Sequence, residues 1–276
     1  MTVKRTKYEK INQIQNTLEG YRRFEYDYIP FGPHWRYPNE RYRYRRRGLD
    51  RCAVWFWRTV LFLFGWVLIG VCYGARVRGR KNLKAVKKRG AISICNHISF
   101  LDTLFVRQAI GHFRSFHTMS PKNNKTGVGG HIIRHGGMLP LGGNFQATKH
   151  LNAEIGRLLG DGKIVNFYPE HALWPSYQKP RPMKEGAFHY AVKHSVPVLP
   201  IFCTFQKSKR GRMKKLKINI LPAIYADESL PKKERIAKMK FQAEQAWKEC
   251  YETAYQKKLE YNSSRISFSE RNSVRG

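Results

Sequence analysis

Residues Cys52 to Gly74 form a 23-residue run, CAVWFWRTVLFLFGWVLIGVCYG, interrupted by one charge, Arg58. As a helix rising 1.5 Å per residue, such a run reaches roughly 35 Å, enough to cross a hydrocarbon core of about 30 Å. Trp, Phe, Leu and Val occupy all sides of that helix, so it presents no polar face to water. The segment is therefore expected to be embedded in a membrane. Basic clusters flank it on both sides, Arg41 to Arg51 before it and Arg76 to Arg89 after it. Because basic flanks resist export, two arrangements compete: a single span, and a re-entrant pair of short helices broken near Gly65.

The whole chain carries a formal charge of +33, so its partners are polyanions. Nucleic acid and an anionic membrane surface both qualify on charge alone. Residues 1–51 are polar and aromatic and end in Arg41-Tyr42-Arg43-Tyr44-Arg45-Arg46-Arg47. Arginine interleaved with tyrosine can stack on single-stranded bases, but it equally suits a lipid headgroup layer. The apolar run that follows favours lipid. Anionic membrane lipid is thus the expected partner, with no specific nucleic acid, and a membrane-anchored nucleic-acid-binding or scaffold protein is the rival reading. Met1 to Gly20 lacks the apolar core of a cleavable signal. A membrane-associated protein with its catalytic domain on the cytosolic face is expected. The five cysteines lack C-x-x-C spacing and read as reduced thiols.

Beyond residue 90, short β-branched runs (Ala91 to Cys95, Ile164 to Tyr168, Val198 to Cys203, Leu216 to Leu221) alternate with segments of helical spacing (Asp102 to Ile110, Ala147 to Leu159, Glu185 to His194). This pattern predicts an α/β fold, a mixed sheet flanked by helices, with the membrane-embedded helical segment at its N-terminal side. Residues 228–260 read as a Lys-rich amphipathic helix with Ile236, Met239, Ala243, Trp247 and Tyr251 near one face. The expected organisation is an arm over 1–51, a membrane segment over 52–74, a catalytic domain over 75–227, the C-terminal helix over 228–260 and a flexible tail over 261–276.

The chemistry-bearing segment is Asn96-His97-Ile98-Ser99-Phe100-Leu101-Asp102, placed where a predicted strand gives way to a predicted helix. Five residues on one helix turn through about 500°, so His97 and Asp102 meet only if His97 precedes the helix and Asp102 lies in its first turn. In that geometry the carboxylate accepts the Nδ1 proton, leaving Nε2 free to take a proton from a hydroxyl. The same residues also read as a capping box, Ser99-x-x-Asp102, with an incidental histidine, and the two readings are compatible.

Asn96, His97 and Asp102 together match N-H-x4-D, the first motif of the glycerolipid acyltransferases. A second block is approximated by Gly137-Met138-Leu139-Pro140-Leu141-Gly142-Gly143. A third, built on F-P-E-G-T-R, is partly met by Phe167-Tyr168-Pro169-Glu170-His171-Ala172-Leu173, followed by Lys184-Glu185-Gly186-Ala187-Phe188. The fourth is Val196-Pro197-Val198-Leu199-Pro200-Ile201. In this order the blocks resemble the lysophosphatidate acyltransferase family over roughly residues 75–225. The resemblance implies that His97 deprotonates an acceptor hydroxyl, which attacks the thioester of acyl-CoA or acyl-carrier protein. The acyl donor and a lysolipid acceptor are the implied partners, and neither a cofactor nor a metal is implied. It also places Asn96, Glu170 and Gly186 at the substrate site.

The sequence departs from the family where two arginines, thought to hold the acceptor phosphate, would fall near Gly143 and Leu173. Arg181 and Lys184, in the proline-studded stretch after Glu170, are candidate surrogates. The alternative is an acceptor without a phosphate there, such as a glycolipid or amino-acid lipid. The glycine-rich stretch Gly127 to Gly143 lacks a nucleotide fingerprint and reads as a mobile loop bordering the site.

Overall fold

The computed structural model describes residues 38–44, 50–87, 89–207 and 214–261. Most of the expected arm (1–37 and 45–49) and tail (262–276) lies outside these residues. The apolar run is one unbroken helix, α1 (Asp50–Tyr73), without a break at Gly65. It ends at Gly74, whose φ of 49° is a left-handed stop. A Cβ at Gly65 would sit 3.3 Å from Leu104, so glycine here marks the close packing of α1 on the next helix instead of a hinge.

The remaining elements are β1 (Arg76–Arg78), a 3-10 helix (Arg80–Val86), β2 (Ala91–Cys95), α2 (Asp102–Ile110), β3 (Ser115–Met119), a second 3-10 helix (Pro121–Asn123), α3 (Gly127–His135), β4 (Met138–Pro140), α4 (Phe145–Gly160), β5 (Ile164–Phe167), α5 (Gly186–Lys193), β6 (Val198–Lys207), β7 (Lys214–Ile220) and α6 (Lys232–Tyr255). The strands form one seven-stranded sheet in the order β1-β7-β6-β2-β5-β3-β4. Every neighbouring pair is parallel except β6 and β7, so the sheet is mixed. β2 lies at its centre and is buried along its whole length, which is why Ala91 to Cys95 reads as a continuous run with little alternation.

Helices cover both faces. On one, Leu151, Ile155 and Leu158 of α4, Phe188 of α5 and Ile236, Met239, Ala243, Trp247 and Tyr251 of α6 share a core with Ile92, Ile94 and Val165. The apolar face anticipated for the C-terminal helix is the face it buries, and Trp247 packs at a tilt against Phe202, 5.4 Å between centroids. On the other face, Phe105, Val106 and Ala109 of α2 and Ile69 of α1 pack over Ala91, Cys95 and Ile201.

One side of α1 therefore belongs to the domain. Arg58 is 2% exposed. Its guanidinium donates to the carbonyls of His112 and Ser115, the latter at 2.8 Å, and lies 4.4 Å above the Phe116 ring. The other side carries Trp55, Phe56, Phe64, Trp66 and Val71, each more than half exposed.

Two sequence expectations differ from the structure. The glycine-rich stretch is not a loop, since Gly127–His135 forms α3 and Met138–Pro140 forms β4. Gly130 is required there by packing, because its Cβ would fall 1.7 Å from the Lys125 carbonyl oxygen. β3 gave no strand signal because its residues are mostly polar, yet it is buried nearly throughout.

Candidate active site

The parallel strands β2 and β5 are adjacent, so the loops leaving their C-terminal ends meet at one edge of the sheet. Ligand sites in such sheets form outside these carboxyl ends. The loop after β2 carries His97 and the loop after β5 carries Tyr168, Pro169 and Glu170.

His97 precedes α2 and Asp102 is the first residue of α2, as their pairing requires. His97 Nδ1 lies 2.9 Å from Asp102 Oδ2, and the imidazole is 21% exposed while the carboxylate is 1% exposed. The same oxygen accepts the main-chain N–H groups of Ile98 at 2.7 Å and Ser99 at 3.0 Å. Asp102 thus ties the loop and orients the histidine at once, but the capping box forms only by half: Asp102 accepts the Ser99 N–H, while Ser99 Oγ accepts from Leu101 and not from Asp102. Its Oδ1 is buried with no partner, and burial pushes its carboxyl above the ordinary range. Nε2 of His97 makes no hydrogen bond among the described residues, and the side chain is partly exposed.

Tyr168 stacks on the imidazole at 4.2 Å between centroids and 21° between planes. Burial raises its phenol well above the usual range, so it stays neutral, and its hydroxyl lies 3.5 Å from Thr103 Oγ1. The ring of His97 is thereby held on one edge by a carboxylate and on one face by an aromatic.

The backbone of His97 is held as well. Glu170, with its side chain 1% exposed, accepts the His97 N–H through Oε2 at 2.9 Å. Glu170 also pairs with Arg181 twice, Oε2 with Nη2 at 2.7 Å and Oε1 with the Arg181 N–H at 2.9 Å. Arg181 Nη2 reaches the carbonyls of His97 at 3.2 Å and Ala172 at 2.5 Å, and its guanidinium lies 4.3 Å over the Trp174 ring. Trp174 and Ser176 donate their N–H groups to the carbonyls of His97 and Ile98, at 3.0 and 2.8 Å.

Several expected substrate contacts are placed differently. Asn96 is 1% exposed and turns away from the edge, its amide pairing with both main-chain groups of Cys203 on β6 at 2.9 and 2.8 Å. Glu170 faces inward as a brace, and Arg181, 5% exposed, points at Glu170 and not at solvent. A guanidinium spent on one carboxylate and two carbonyls is not directed at a lipid phosphate. Lys184 is exposed, with its main chain donating to Pro169, and Gly186 opens α5 with nothing within 4 Å of its Cβ position. Leu173, at the place of a family arginine, is 4% exposed. Tyr168 and Trp174 were not singled out from sequence; the signal was their position beside Pro169-Glu170.

Cys95 and Cys203 are buried with their sulfurs 3.8 Å apart, and burial raises the Cys95 thiol well above its usual range. Neither is a poised nucleophile.

The family model for Acyltransferase matches residues 74–204. The crystal structure of the 1-acyl-sn-glycerophosphate (LPA) acyltransferase PlsC from Thermotoga maritima shares the fold, with a TM-score of 0.56 at 16% identity over 92% of this chain and 96% of that one. No curated protein matches the chain in sequence. The four motif blocks stand in order and the family match spans 74–204, so this stretch is an Acyltransferase domain and the chain is an acyltransferase.

Proposed function

We propose that this enzyme transfers a fatty acyl group from acyl-CoA or acyl-carrier protein to the hydroxyl of a lysoglycerolipid, with lysophosphatidate as the first candidate acceptor and phosphatidate as product. The observation that carries this reading is the His97 and Asp102 pair, 2.9 Å apart, on a partly exposed imidazole whose Nε2 makes no hydrogen bond among the described residues. In the reaction, Nε2 takes the acceptor's hydroxyl proton as the oxygen attacks the thioester carbonyl. The tetrahedral intermediate collapses with loss of the C–S bond, and the departing thiolate takes the proton from the imidazolium. Asp102 holds the tautomer and stabilises the imidazolium, and no acyl-enzyme is formed.

A second reading follows from two placements. Leu173 is buried where a phosphate-holding arginine would fall, and Arg181 is committed to Glu170. Both favour an acceptor whose headgroup lacks a phosphate at that place, such as a glycolipid or amino-acid lipid. Incubating the purified protein with labelled acyl-CoA or acyl-carrier protein and a panel of charged and neutral lysolipids, with products identified by mass spectrometry, decides both donor and acceptor. Transfer to none of them overturns the proposal.

The membrane reading is carried by α1, which over Asp50–Val71 is long and apolar enough to cross a bilayer. With basic clusters at both ends, the proposed setting is an anionic membrane with the catalytic domain on its cytosolic side. Labels at positions 45 and 80 accessible from opposite sides would establish a single crossing, and labels both accessible from the cytosol would establish a helix lying at the surface.

A further inference from the structure

Between α1, α2 and the turn before β4, two arginines are buried without an acid among the described residues. Arg58 of α1 is 2% exposed and Arg107 of α2 is 1% exposed. Neither pairs with a carboxylate among the described residues; each meets carbonyl oxygens through Nη2 alone, Arg107 donating to Gly136 at 2.6 Å. Arg58 Nη1 and both Nε and Nη1 of Arg107 have no hydrogen-bond partner. The two side chains converge on the same glycine pair. A Cβ on Gly137, next to the Gly136 carbonyl that Arg107 holds, would fall 2.4 Å from Arg58 Nη1.

A third group joins them. His117 of β3 donates its main-chain N–H to Gly137 at 3.1 Å, is 0% exposed, and leaves both ring nitrogens without a partner. Its register neighbour on β5, Asn166, lies on the same face with an unpartnered Nδ2. Burial and the two guanidiniums hold His117 well below the usual imidazole range, and burial lowers Arg107 to about 10. Two adjacent buried cations with unused donors and no counter-charge are costly unless an anion shares the space. Guanidinium forks match the edges of an oxyanion, whereas water would supply no charge.

We propose that Arg58, Arg107 and His117 form a buried site for a phosphate group, either that of a membrane-lipid headgroup or free inorganic phosphate, built from residues that the His97 and Asp102 pair does not use. The site lies under α1, so loading it is coupled to docking of that helix, and the bound group exchanges slowly. Its role is to neutralise Arg58, which fastens α1 to the domain, and Arg107, which holds the Gly136 carbonyl beside it. The inference stands on these contacts and not on the acyl-transfer reading.

The test uses the full chain in an uncharged detergent. Inorganic phosphate is titrated against chloride at equal ionic strength, and phosphatidylcholine vesicles are compared with vesicles containing phosphatidate. A ligand at a hundred times its dissociation constant raises the melting temperature of a chain this size by roughly 5 °C. A rise with phosphate that Arg107→Met abolishes supports free phosphate; a rise only with phosphatidate, likewise abolished, supports the headgroup. An equal rise in Arg107→Met, which reports surface lysines, or no rise in either arm, overturns the site. If Arg107→Met does not fold, native mass spectrometry of the wild-type chain decides. A phosphate or phospholipid retained through buffer exchange supports the proposal, and its complete loss overturns it.

Discussion

The Oε2 of Glu170 accepts the main-chain N–H of His97 at 2.9 Å while the same carboxylate clasps Arg181. The acid of the third motif thus positions the histidine of the first through its backbone, and Asp102 and Tyr168 position it through its ring. His97 is held from three directions, by Asp102 five residues on and by Tyr168 and Glu170 from the loop after β5.

The strongest consequence is for His97 itself. His97→Ala is expected to lower acyl transfer by about 10²–10⁴, the usual contribution of a general base, with melting temperature and membrane binding preserved. A loss below about fivefold would remove the assignment.

Asp102→Asn separates orientation from stability. Burial raises the Asp102 carboxyl, so its proton is held more tightly in the folded than in the unfolded chain. Its contribution to stability is therefore favourable in acid and is lost as pH rises from the ordinary carboxylate range, near 4, through the raised folded value. The amide still accepts from Ile98 and Ser99, so Asp102→Asn should be more stable than Asp102→Ala at neutral pH and gain on wild type as pH rises. Its turnover should nevertheless fall. Melting curves at several pH values beside initial rates check both halves.

The Glu170 and Arg181 pair is buried, with side chains 1% and 4% exposed, so removing one partner strands the other. Arg181→Ala is expected to cost about 3–5 kcal/mol, visible in denaturant titration, and to lower activity on charged and neutral lysolipids alike. A selective rise in KM for lysophosphatidate with unchanged stability would instead restore Arg181 as a phosphate contact.

Tyr168 offers a finer test, because its ring and hydroxyl are separable. Tyr168→Phe keeps the stack on His97 and should leave kcat within about threefold, while Tyr168→Leu loses an aromatic contact of roughly 0.5–1.5 kcal/mol and should lower kcat more than it alters KM. Equal effects of the two substitutions would place the role in the hydroxyl.

The exposed apolar side of α1 is distinct from its docked side. Replacing Phe64 and Trp66, 58% and 64% exposed, with Gln should weaken liposome flotation at least tenfold, since each large apolar side chain contributes about 1.5–3 kcal/mol on burial. The melting temperature in detergent should hardly change. Undiminished flotation would assign membrane binding to the basic clusters, which salt then tests.

Much of this molecule is written locally. The 23-residue apolar run, the β-branched strands, the stripe from Ile236 to Tyr251 and the short spacing from His97 to Asp102 each depend on neighbours in sequence, where periodicity and reach are decisive. The sequence by itself therefore determined the fold class, the α1 helix and the pairing of His97 with Asp102. Only the tertiary structure decided that α1 is unbroken and half docked, that glycine-rich 127–135 is helical, and that Asn96, Glu170 and Arg181 face inward as braces. A buried polar side chain takes its direction from whichever partner satisfies it, and those partners, Cys203 for Asn96 and the His97 backbone for Glu170, lie 107 and 73 residues away. No pattern along the chain encodes that choice; the sheet makes it by bringing β2, β5 and β6 side by side.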